Sequence, residues 1–216
     1  MDISETLDKI TSINWFMLIK LNFFSHHIRR AKGAYIIPYR NSVIQLDKNS
    51  IIELNSNLHV NAHKIKGSKA EAYLKLKKGA KLQVNGTIYM MYATTIEIHE
   101  NAEIVAGSFS INCGAVIIAA KKITIGKEVL ISRNVFIYDS DHHAMLTEDG
   151  ERSNPAKEVV IGDHVWVGIK STILRGVKIG NGAVIAADSL VIGKIKPNVL
   201  ASGSPARAFM EVNWKV

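Results

Sequence analysis

Residues capable of acid–base chemistry concentrate in one polar segment, residues 138–157, which reads YDSDHHAMLTEDGERSNPAK. Asp139, Asp141, His142 and His143 lie close together at its start. A histidine here can act as a general base because imidazole titrates near neutrality, and a nearby carboxylate can orient the ring or stabilise its charged form. Clusters of Asp and His also bind cations, but no second group of residues with metal-ligand spacing accompanies this one. The segment therefore predicts a catalytic histidine and no metal site.

The element that must position this segment is a six-residue repeat, which is clearest in residues 158–196. Glycine recurs directly after the aliphatic residue of the repeat, as at Gly162, Gly168 and Gly180. A period of six excludes an α-helix and is typical of a parallel β-helix, in which three repeats close a triangular coil. The sequence therefore predicts an all-β solenoid with its aliphatic side chains inside and with corners that glycine and asparagine tolerate best. The repeating aliphatic residues are Ile161, Val167, Ile173, Ile179, Ile185 and Val191.

The same period extends, less regularly, from about Tyr39 to Ile137, and it resumes at Val159. No linker or change in composition separates the two parts. We therefore expect one solenoid domain, residues 39–216, from which residues 138–157 project as a single loop and which ends in a C-terminal tail.

Three further side chains, on the solenoid itself, are of types that can take part in binding or catalysis. Trp166 falls on an outward position, where it would offer a flat apolar platform or, equally, pack between subunits. Asn112 could donate from its amide to a ligand carbonyl. Cys113 falls on the inward phase of the repeat, so we predict that it belongs to the core and is not a nucleophile.

The composition restricts the partners. The chain has 27 Lys and Arg against 19 Asp and Glu, a formal net charge of +8. That balance suits a phosphate-bearing cofactor, an anionic glycan or a membrane surface, although a solvated basic face explains it equally well. No dense basic run or nucleic-acid motif is present, so nucleic acid is not an expected partner. The single cysteine cannot form an internal disulfide, which agrees with a cytoplasmic location.

Residues 1–38 are predicted to form a helical cap on the open end of the solenoid, with a helix over residues 2–30. The apolar run in residues 15–24 is too short to span a membrane, and the segment lacks a signal-peptide cleavage site. The alternative is a peripheral membrane contact through residues 13–32, with aromatic side chains toward lipid and basic ones toward the headgroups. Its contact residues would be Trp15, Phe16, Phe23, Phe24, Arg29, Arg30 and Lys32.

Four features together resemble a known family: the ladder, D-S-D-H-H at residues 139–143, V-W-V-G at 165–168, and N-V-L-A-S-G-S-P-A-R at 198–207. From about Tyr39 to Phe209 the chain resembles the left-handed β-helix acyltransferases, and more closely the branch that O-acetylates sugars and bacterial surface polysaccharides. The resemblance implies a left-handed solenoid, a homotrimer with active sites between neighbouring prisms, and acetyl-CoA as co-substrate. It also implies that a loop histidine deprotonates the acceptor hydroxyl, which takes the acetyl group directly, without an acyl-enzyme.

The resemblance also bears on the two histidines. The T-x-T-H pattern of sugar acetylases would place the base at His142. The D-x-D-x-H pattern of relatives that act on polysaccharides instead fits Asp139, Asp141 and His143. We therefore predict His143 as the base, with His142 as the alternative, and we place both aspartates among the substrate-binding residues.

The resemblance also implies roles for residues of the solenoid itself. It implies that Asn112 is a substrate or oxyanion contact and that Trp166 is a wall of the acceptor and thioester site. Backbone groups near Gly168 and Ala186 are implied to line the groove for the pantetheine arm.

The resemblance places the phosphates of the co-substrate near Arg207, in the S-P-A-R motif. The chain departs from the family pattern at residues 191–193, which read V-I-G where some sugar acetylases carry V-T-K. Lys194 or Lys196 would take the place of that lysine.

Other functions remain open at this point. The same fold hosts N-acetyltransferases that act on amino sugars and on antibiotics. A zinc-dependent hydratase would need His142, His143 and His164 to meet at a subunit interface, and an adjacent pair is poor geometry for one metal. A non-catalytic scaffold or adhesin is the third class, against which the polar loop and the S-P-A-R tail count.

Overall fold

The computed structural model describes residues 10–150 and 154–215. Within these ranges the chain forms 24 strands, which fall into three sheets that it visits in turn. Each strand pairs in parallel with the strand three places later, so three strands make one coil of a parallel β-helix. The last strand is the exception, because it pairs antiparallel.

The strands of each sheet stack along the axis of the helix. Sheet A contains β1 (Ile28–Arg30), β4 (Ile51–Leu54), β7 (Lys81–Val84), β10 (Glu103–Ala106), β13 (Lys122–Ile125), β16 (Val159–Ile161), β19 (Lys178–Ile179) and β22 (Lys194–Ile195). Sheet B contains β2 (Ile36–Pro38), β5 (Leu58–Ala62), β8 (Ile88–Met91), β11 (Phe109–Ile111), β14 (Val129–Ile131), β17 (Trp166–Val167), β20 (Val184–Ile185), β23 (Val199–Gly203) and the antiparallel β24 (Ala206–Glu211). Sheet C contains β3 (Ser42–Leu46), β6 (Ala72–Leu76), β9 (Thr95–Ile98), β12 (Val116–Ala119), β15 (Phe136–Tyr138), β18 (Thr172–Ile173) and β21 (Leu190–Val191).

The inside of the prism is filled by the aliphatic rows that the six-residue period predicts. Each of the six aliphatic positions from Ile161 to Val191 is at most 2% exposed. The small and β-branched positions two residues earlier are buried as well, including Ser171 and Ser189. Since neighbouring residues of a strand point to opposite sides, every second side chain enters the core and the rest face outward.

The corners show why glycine and asparagine recur there. Asn134 and Asn198 adopt φ values of 55° and 53°, in the left-handed region that asparagine tolerates better than most residues. At Gly168 the reason is close approach, because an added Cβ would lie 2.7 Å from the Ile185 carbonyl oxygen of the next coil. The in-phase glycine at this position is therefore explained by coil stacking.

The N-terminal segment is less helical than predicted. Within the described residues, helix α1 covers Trp15–Ile19 and a π-helical turn follows at Lys20–Phe24. Strands β1 and β2 already belong to the solenoid, so its first coil begins before the expected boundary at residue 39. The start of the predicted helix, in residues 2–9, lies outside the described residues.

The buried Asn22 connects the π-helical turn to the solenoid. Its Nδ2 donates to the carbonyl oxygens of Leu18 and Ile36, both at 2.8 Å, and its Oδ1 accepts from the Ile36 N–H at 2.9 Å. This side chain therefore ties the π-helical turn to strand β2. Leu21, Asn22 and Met17 pack against the solenoid, whereas Phe16 and Phe24 remain 81% and 79% exposed.

Cys113 corrects another expectation. It lies in the turn between β11 and β12 and is partly exposed, whereas Ile111 and Ile117 on either side fill the core. The phase of the repeat shifts at this turn, so the count of six from Ala119 back to Cys113 does not identify an inward position. Its thiol forms a side-chain hydrogen bond with Tyr92, and that bond raises the pKa of the Tyr92 hydroxyl.

Candidate active site

The polar loop leaves the solenoid at the corner between sheets C and A, which we call corner CA. Its first residue, Asp139, has no exposed surface. One carboxylate oxygen accepts from the Ala120 N–H at 2.6 Å, and the other accepts from the N–H groups of Lys121 and Lys122 at 2.8 and 2.6 Å. These charge-assisted bonds hold the root of the loop against the preceding coil. The prediction that Asp139 contacts substrate is therefore wrong, because its carboxylate is occupied by the backbone.

A second buried polar residue, Asn154, closes the loop from the other end. Its Nδ2 donates to the His143 carbonyl at 2.5 Å, and its Oδ1 accepts from the Met145 N–H at 2.8 Å. Because Asn154 is only 1% exposed, these bonds are shielded from water. The backbone that carries His143 is therefore held in place although residues 141–150 are exposed.

The two histidines have different surroundings. His142 has a positive φ of 59°, and its ring packs 4.9 Å from the His99 ring and 5.9 Å from the Tyr138 ring, measured between centroids. His143 is exposed, and its N–H donates to the Asp141 carbonyl at 2.7 Å. Both histidines are exposed, but the His142 ring packs on the solenoid of its own chain, whereas the backbone of His143 is bound to Asn154 in the loop.

The solenoid beside His142 carries a charged cluster that sequence reasoning missed. Nζ of Lys77 lies 3.0 Å from a Glu97 carboxylate oxygen and 3.2 Å from Nε2 of His99. Burial and the charge of Lys77 both lower the pKa of His99, so its ring is neutral near pH 7. Glu97 lies in β9, whereas Lys77 and His99 lie in the turns that follow β6 and β9. Because these positions belong to different coils, no local sequence motif predicts the cluster.

Asp141 forms an ion pair with a residue that the sequence analysis did not single out. Nε of Arg175 donates to its carboxylate at 2.6 Å. The pair lines a cavity of about 310 Å³ at corner CA, together with Lys157, Leu174 and Ile192. Arg175 lies 34 positions after Asp141 in the sequence, and only coil stacking brings the two together.

The other predicted residues stack at a different corner, between sheets B and C, which we call corner BC. Asn112 follows β11, Gly168 follows β17 and Ala186 follows β20. Their N–H groups bond to the next coil in the same way, with Asn112 donating to Ile131, Gly168 to Ile185 and Ala186 to Ala201. Since successive sheet strands lie about 4.8 Å apart, this column runs parallel to the helix axis.

The orientation of the Asn112 amide is set by its own turn. Its Oδ1 accepts from the Cys113 N–H at 2.8 Å. The Nδ2 group is thereby the end of the amide that can donate to a ligand, which agrees with the predicted chemistry.

Arg207 extends the column toward the C-terminus. Ser202 follows Ala201 at the end of β23, and it pairs with Arg207 in the antiparallel hairpin. The hairpin thus places an exposed guanidinium group two strand spacings beyond Ala186, because β23 lies between β20 and β24. Lys194 does not join this group, because it begins β22 on sheet A, directly after corner CA.

Trp166 lies on the outer face of sheet B, 42% exposed, beside the column. Its Nε1 donates to Oγ of Ser132 at 3.1 Å. The C-terminal tail folds back over the same face, where Trp214 lies 6.0 Å from the Trp166 ring. The exposed platform predicted from the sequence is present and is flanked by the tail.

The zinc alternative finds no geometric support within one chain. His164 lies at the corner between sheets A and B, where its ring stacks on Trp214 at 4.0 Å and its Nε2 lies 2.9 Å from the Trp214 carbonyl oxygen. His142 and His143 lie at corner CA. Among the described residues, no group of three or more His, Cys, Asp or Glu side chains is arranged to hold a metal ion.

In residues 10–150 and 154–215, no helix has the length and apolar character needed to cross a membrane.

Comparisons with known proteins place the chain in a family. Residues 158–193 match the family model described as bacterial transferase hexapeptide (six repeats). The chain is 36% identical to galactoside O-acetyltransferase of Escherichia coli over 138 residues, which cover 62% of this chain and 63% of that protein. The first relatives are thus matched over less than two thirds of their own length.

Two further comparisons extend the match. The chain is 31% identical to a protein of Dictyostelium discoideum named as an acetyltransferase, over 63% of this chain and 68% of that one. The solved structure of a polysialic acid O-acetyltransferase is 24% identical, with a TM-score of 0.57 over 88% of this chain and 90% of that one, which shows a common fold. The left-handed β-helix is thereby confirmed. The chain therefore belongs to the hexapeptide-repeat acetyltransferase family.

Proposed function

We propose that the protein is an acetyl-CoA-dependent O-acetyltransferase that modifies a hydroxyl group of a sugar or surface polysaccharide, with His143 as the general base. The observation that carries the proposal is the position of His143 in a chain of this family. It lies at the surface of a loop that Asp139 and Asn154 hold at both ends. A base held in this way can be reached by an acceptor without losing its orientation.

In this proposal the imidazole of His143 takes the proton of the acceptor hydroxyl. The hydroxyl oxygen attacks the thioester carbon directly, and the proton then passes to the departing CoA thiolate. Nδ2 of Asn112 donates to the oxyanion that develops on the thioester oxygen. A positioned base contributes about 10²–10⁴-fold to such a step, and the loss of one oxyanion donor costs about 10²–10³ in kcat.

We further propose that the working form is a homotrimer. In one chain His143 belongs to corner CA, whereas Asn112, Gly168 and Ala186 belong to corner BC. Two different corners of one prism cannot both face a single small acyl group. If neighbouring prisms bring corner CA of one chain to corner BC of the next, each interface contains a complete set.

The column at corner BC is the proposed site for acetyl-CoA. The pantetheine arm would follow the backbone beside Gly168 and Ala186, and the phosphates would reach Arg207 at the C-terminal hairpin. Arginine suits this position because its planar guanidinium group pairs well with phosphate oxygens. Lys194, on the far side of sheet C in its own chain, would have to act from the neighbouring subunit.

We place the protein in the cytoplasm, where acetyl-CoA is made, with residues 1–38 as the cap of the solenoid.

The exposed aromatic side chains around Phe16 and Phe24, with Arg29 and Lys32 nearby, support the alternative of a peripheral membrane contact. Sedimentation with anionic lipid vesicles, compared for the wild type and the Phe16→Ser/Phe24→Ser variant, would test it. Equal sedimentation of the two proteins would contradict a lipid contact at this patch.

The proposed reaction can be tested by following CoA release from acetyl-CoA across a panel of glycans. We expect release that depends on a hydroxyl acceptor, with a product whose acetyl group is removed by mild base, as an ester is. The His143→Ala variant controls for background hydrolysis. A product that resists mild base would instead indicate an amide and N-acetylation, and the lack of any acceptor-dependent release would refute the proposed reaction.

A further inference from the structure

A second cavity lies at corner BC, toward the N-terminal end of the column that contains Asn112. Its volume is about 780 Å³. The polar insert between β5 and β6 forms one side of it, and the outer face of sheet B forms the floor. The side chains that matter for binding are Arg40, His59, Lys64, Lys66, Lys69 and Tyr89.

The floor of the cavity is an aromatic platform. The rings of His59 and Tyr89 are stacked with their centroids 4.4 Å apart, and the Tyr39 hydroxyl lies 3.2 Å from Nδ1 of His59. Burial, with a smaller contribution from the charge of His63, lowers the pKa of His59 to about 4. The platform is thus uncharged at neutral pH, and because Tyr39 and Tyr89 stack on the two sides of the His59 ring, it meets the cavity with ring edges and not with a free ring face.

The rim of the cavity is strongly basic. Arg40, Lys64, Lys66 and Lys69 contribute four cationic side chains, and no Asp or Glu is among the residues that line the cavity. The wall also contains the buried Asn61, whose Oδ1 has no hydrogen-bond partner among the described residues. A cavity with an uncharged floor, hydrogen-bonding groups in its wall and cations around its rim suits a sugar that carries negative charge.

The cavity lies in line with the proposed acetylation site. On the outer face of sheet B, His59 is paired with Tyr89 of the next coil, and Tyr89 is paired with Ser110 of the coil after that. Asn112 lies in the same coil as Ser110, two residues later. At about 4.8 Å per coil, the His59 coil and the Asn112 coil are about 10 Å apart. The cavity lies on the side of Asn112 that is opposite Gly168 and Ala186, so it is separate from the proposed cofactor groove.

We propose that this cavity is a distal subsite that binds an anionic sugar unit of a chain acceptor, while another unit of the same chain is acetylated beside Asn112. The inference rests on the proposed function for the identity of the acceptor, and it extends that function from a single hydroxyl to an acidic glycan. The charge that the cavity recognises is carboxylate or phosphate on the sugar. A free monosaccharide would reach only one of the two positions.

Binding can be tested by calorimetry on the full chain without acetyl-CoA, so that no turnover is needed. The probes are hexagalacturonate, maltohexaose and a phosphorylated maltohexaose. We expect both anionic chains to bind more tightly than the neutral one, and the tighter of the two identifies carboxylate or phosphate as the preferred group. Tighter binding of neutral maltohexaose, or equal binding of all three, overturns the proposal.

A matched pair of variants locates the binding. Lys66→Ser/Lys69→Ser removes two exposed cations from the rim, and Lys127→Ser/Lys215→Ser removes two exposed cations beside the corner between sheets A and B, away from the proposed interface. The rim variant should bind hexagalacturonate about tenfold more weakly, since two exposed ion pairs with the ligand are lost, and the control variant should bind as the wild type does. Equal losses in both variants, or none in the rim variant, would show that the attraction comes from net charge alone.

The uncharged floor of the cavity allows an independent test. Tyr89→Ala should weaken the binding of all three probes, because it removes a part of that floor which contacts a sugar whatever its charge. If the protein shows no acetyl transfer yet binds the anionic probes as described, the subsite stands and the proposed reaction fails. If it acetylates small acceptors but these binding differences are absent, the reaction stands and the subsite fails.

Discussion

His142 and His143 are neighbours in sequence, and their surroundings lead to opposite expectations. The His142 ring packs against His99 and Tyr138 of its own solenoid, whereas His143 lies exposed on a loop whose backbone is fixed. His143→Ala should therefore lower kcat by about 10²–10⁴-fold at saturating acetyl-CoA, because the base is lost. His142→Ala should have a far smaller effect. Steady-state kinetics on both folded variants measures the difference.

The reverse result would change the assignment. If His142→Ala is inactive and His143→Ala retains its turnover, the base is His142, and the alignment of the loop with the D-x-D-x-H pattern is shifted by one residue. Circular dichroism of both variants serves as the control for folding.

Asp139 is expected to act on stability. Its buried carboxylate accepts from three backbone N–H groups, and Asp139→Asn replaces an acceptor oxygen by an NH₂ group that faces those donors. Leaving buried donors without an acceptor costs about 1–3 kcal/mol of unfolding free energy each. The midpoint of urea unfolding should therefore fall clearly in this variant.

Asp149→Asn is the matched control, because Asp149 lies exposed in the same loop. Its unfolding midpoint should stay at the wild-type value. Similar midpoints for the two variants would show that the bonds of Asp139 add little to stability.

At the scale of elements, Asn154 restrains the described part of the loop around His143. Asn154 bonds to the His143 carbonyl and to the Met145 N–H, and the next contact with the solenoid is the Lys157 N–H, which donates to the Asp139 carbonyl at 2.8 Å. Asn154→Ala should therefore free residues 143–145 while the coils remain intact. We expect a reduced kcat with an unchanged thermal midpoint of the solenoid.

Hydrogen exchange separates these effects, since exchange should accelerate in the loop and not in β12 or β15. A loss of protection in the strands as well would mean that Asn154 supports the coil itself. Wild-type kcat in the variant would mean that the base does not need this restraint.

At the scale of the molecule, the proposed trimer makes a prediction about mixtures. His143→Ala chains and Asn112→Ala chains should each be nearly inactive. When the two are unfolded and refolded together, each mixed trimer contains one interface with both wild-type residues, because closed symmetry makes every interface heterologous. Activity should therefore reappear in the mixture.

Light scattering on the wild type provides the accompanying measurement of mass. If the mixture stays inactive while mixed trimers are present, both residues must act within one chain. An active monomer would contradict the proposed assembly directly.

Periodicity determined most of the fold from the sequence alone. A buried strand position accepts only apolar side chains, and a coil of three strands repeats that requirement every six residues, so the inward rows from Ile161 to Val191 could be read directly. The exceptions are places where another force outweighs the period. Cys113 lies where the phase shifts in a turn, and the charged Asp139 is buried because three N–H groups surround it.

Only the tertiary structure decided which chemical groups meet. The ion pair of Asp141 with Arg175 and the cavity beside His59 join residues from different coils, and the two bonds of Asn154 join the two halves of one loop. The sequence predicts His143 and Asn112 as catalytic residues, but a six-residue period does not reveal which of three corners each occupies. The corner depends on the number of strands between the two residues, because each strand takes the chain along one face of the prism. His143 and Asn112 therefore lie at different corners of one chain.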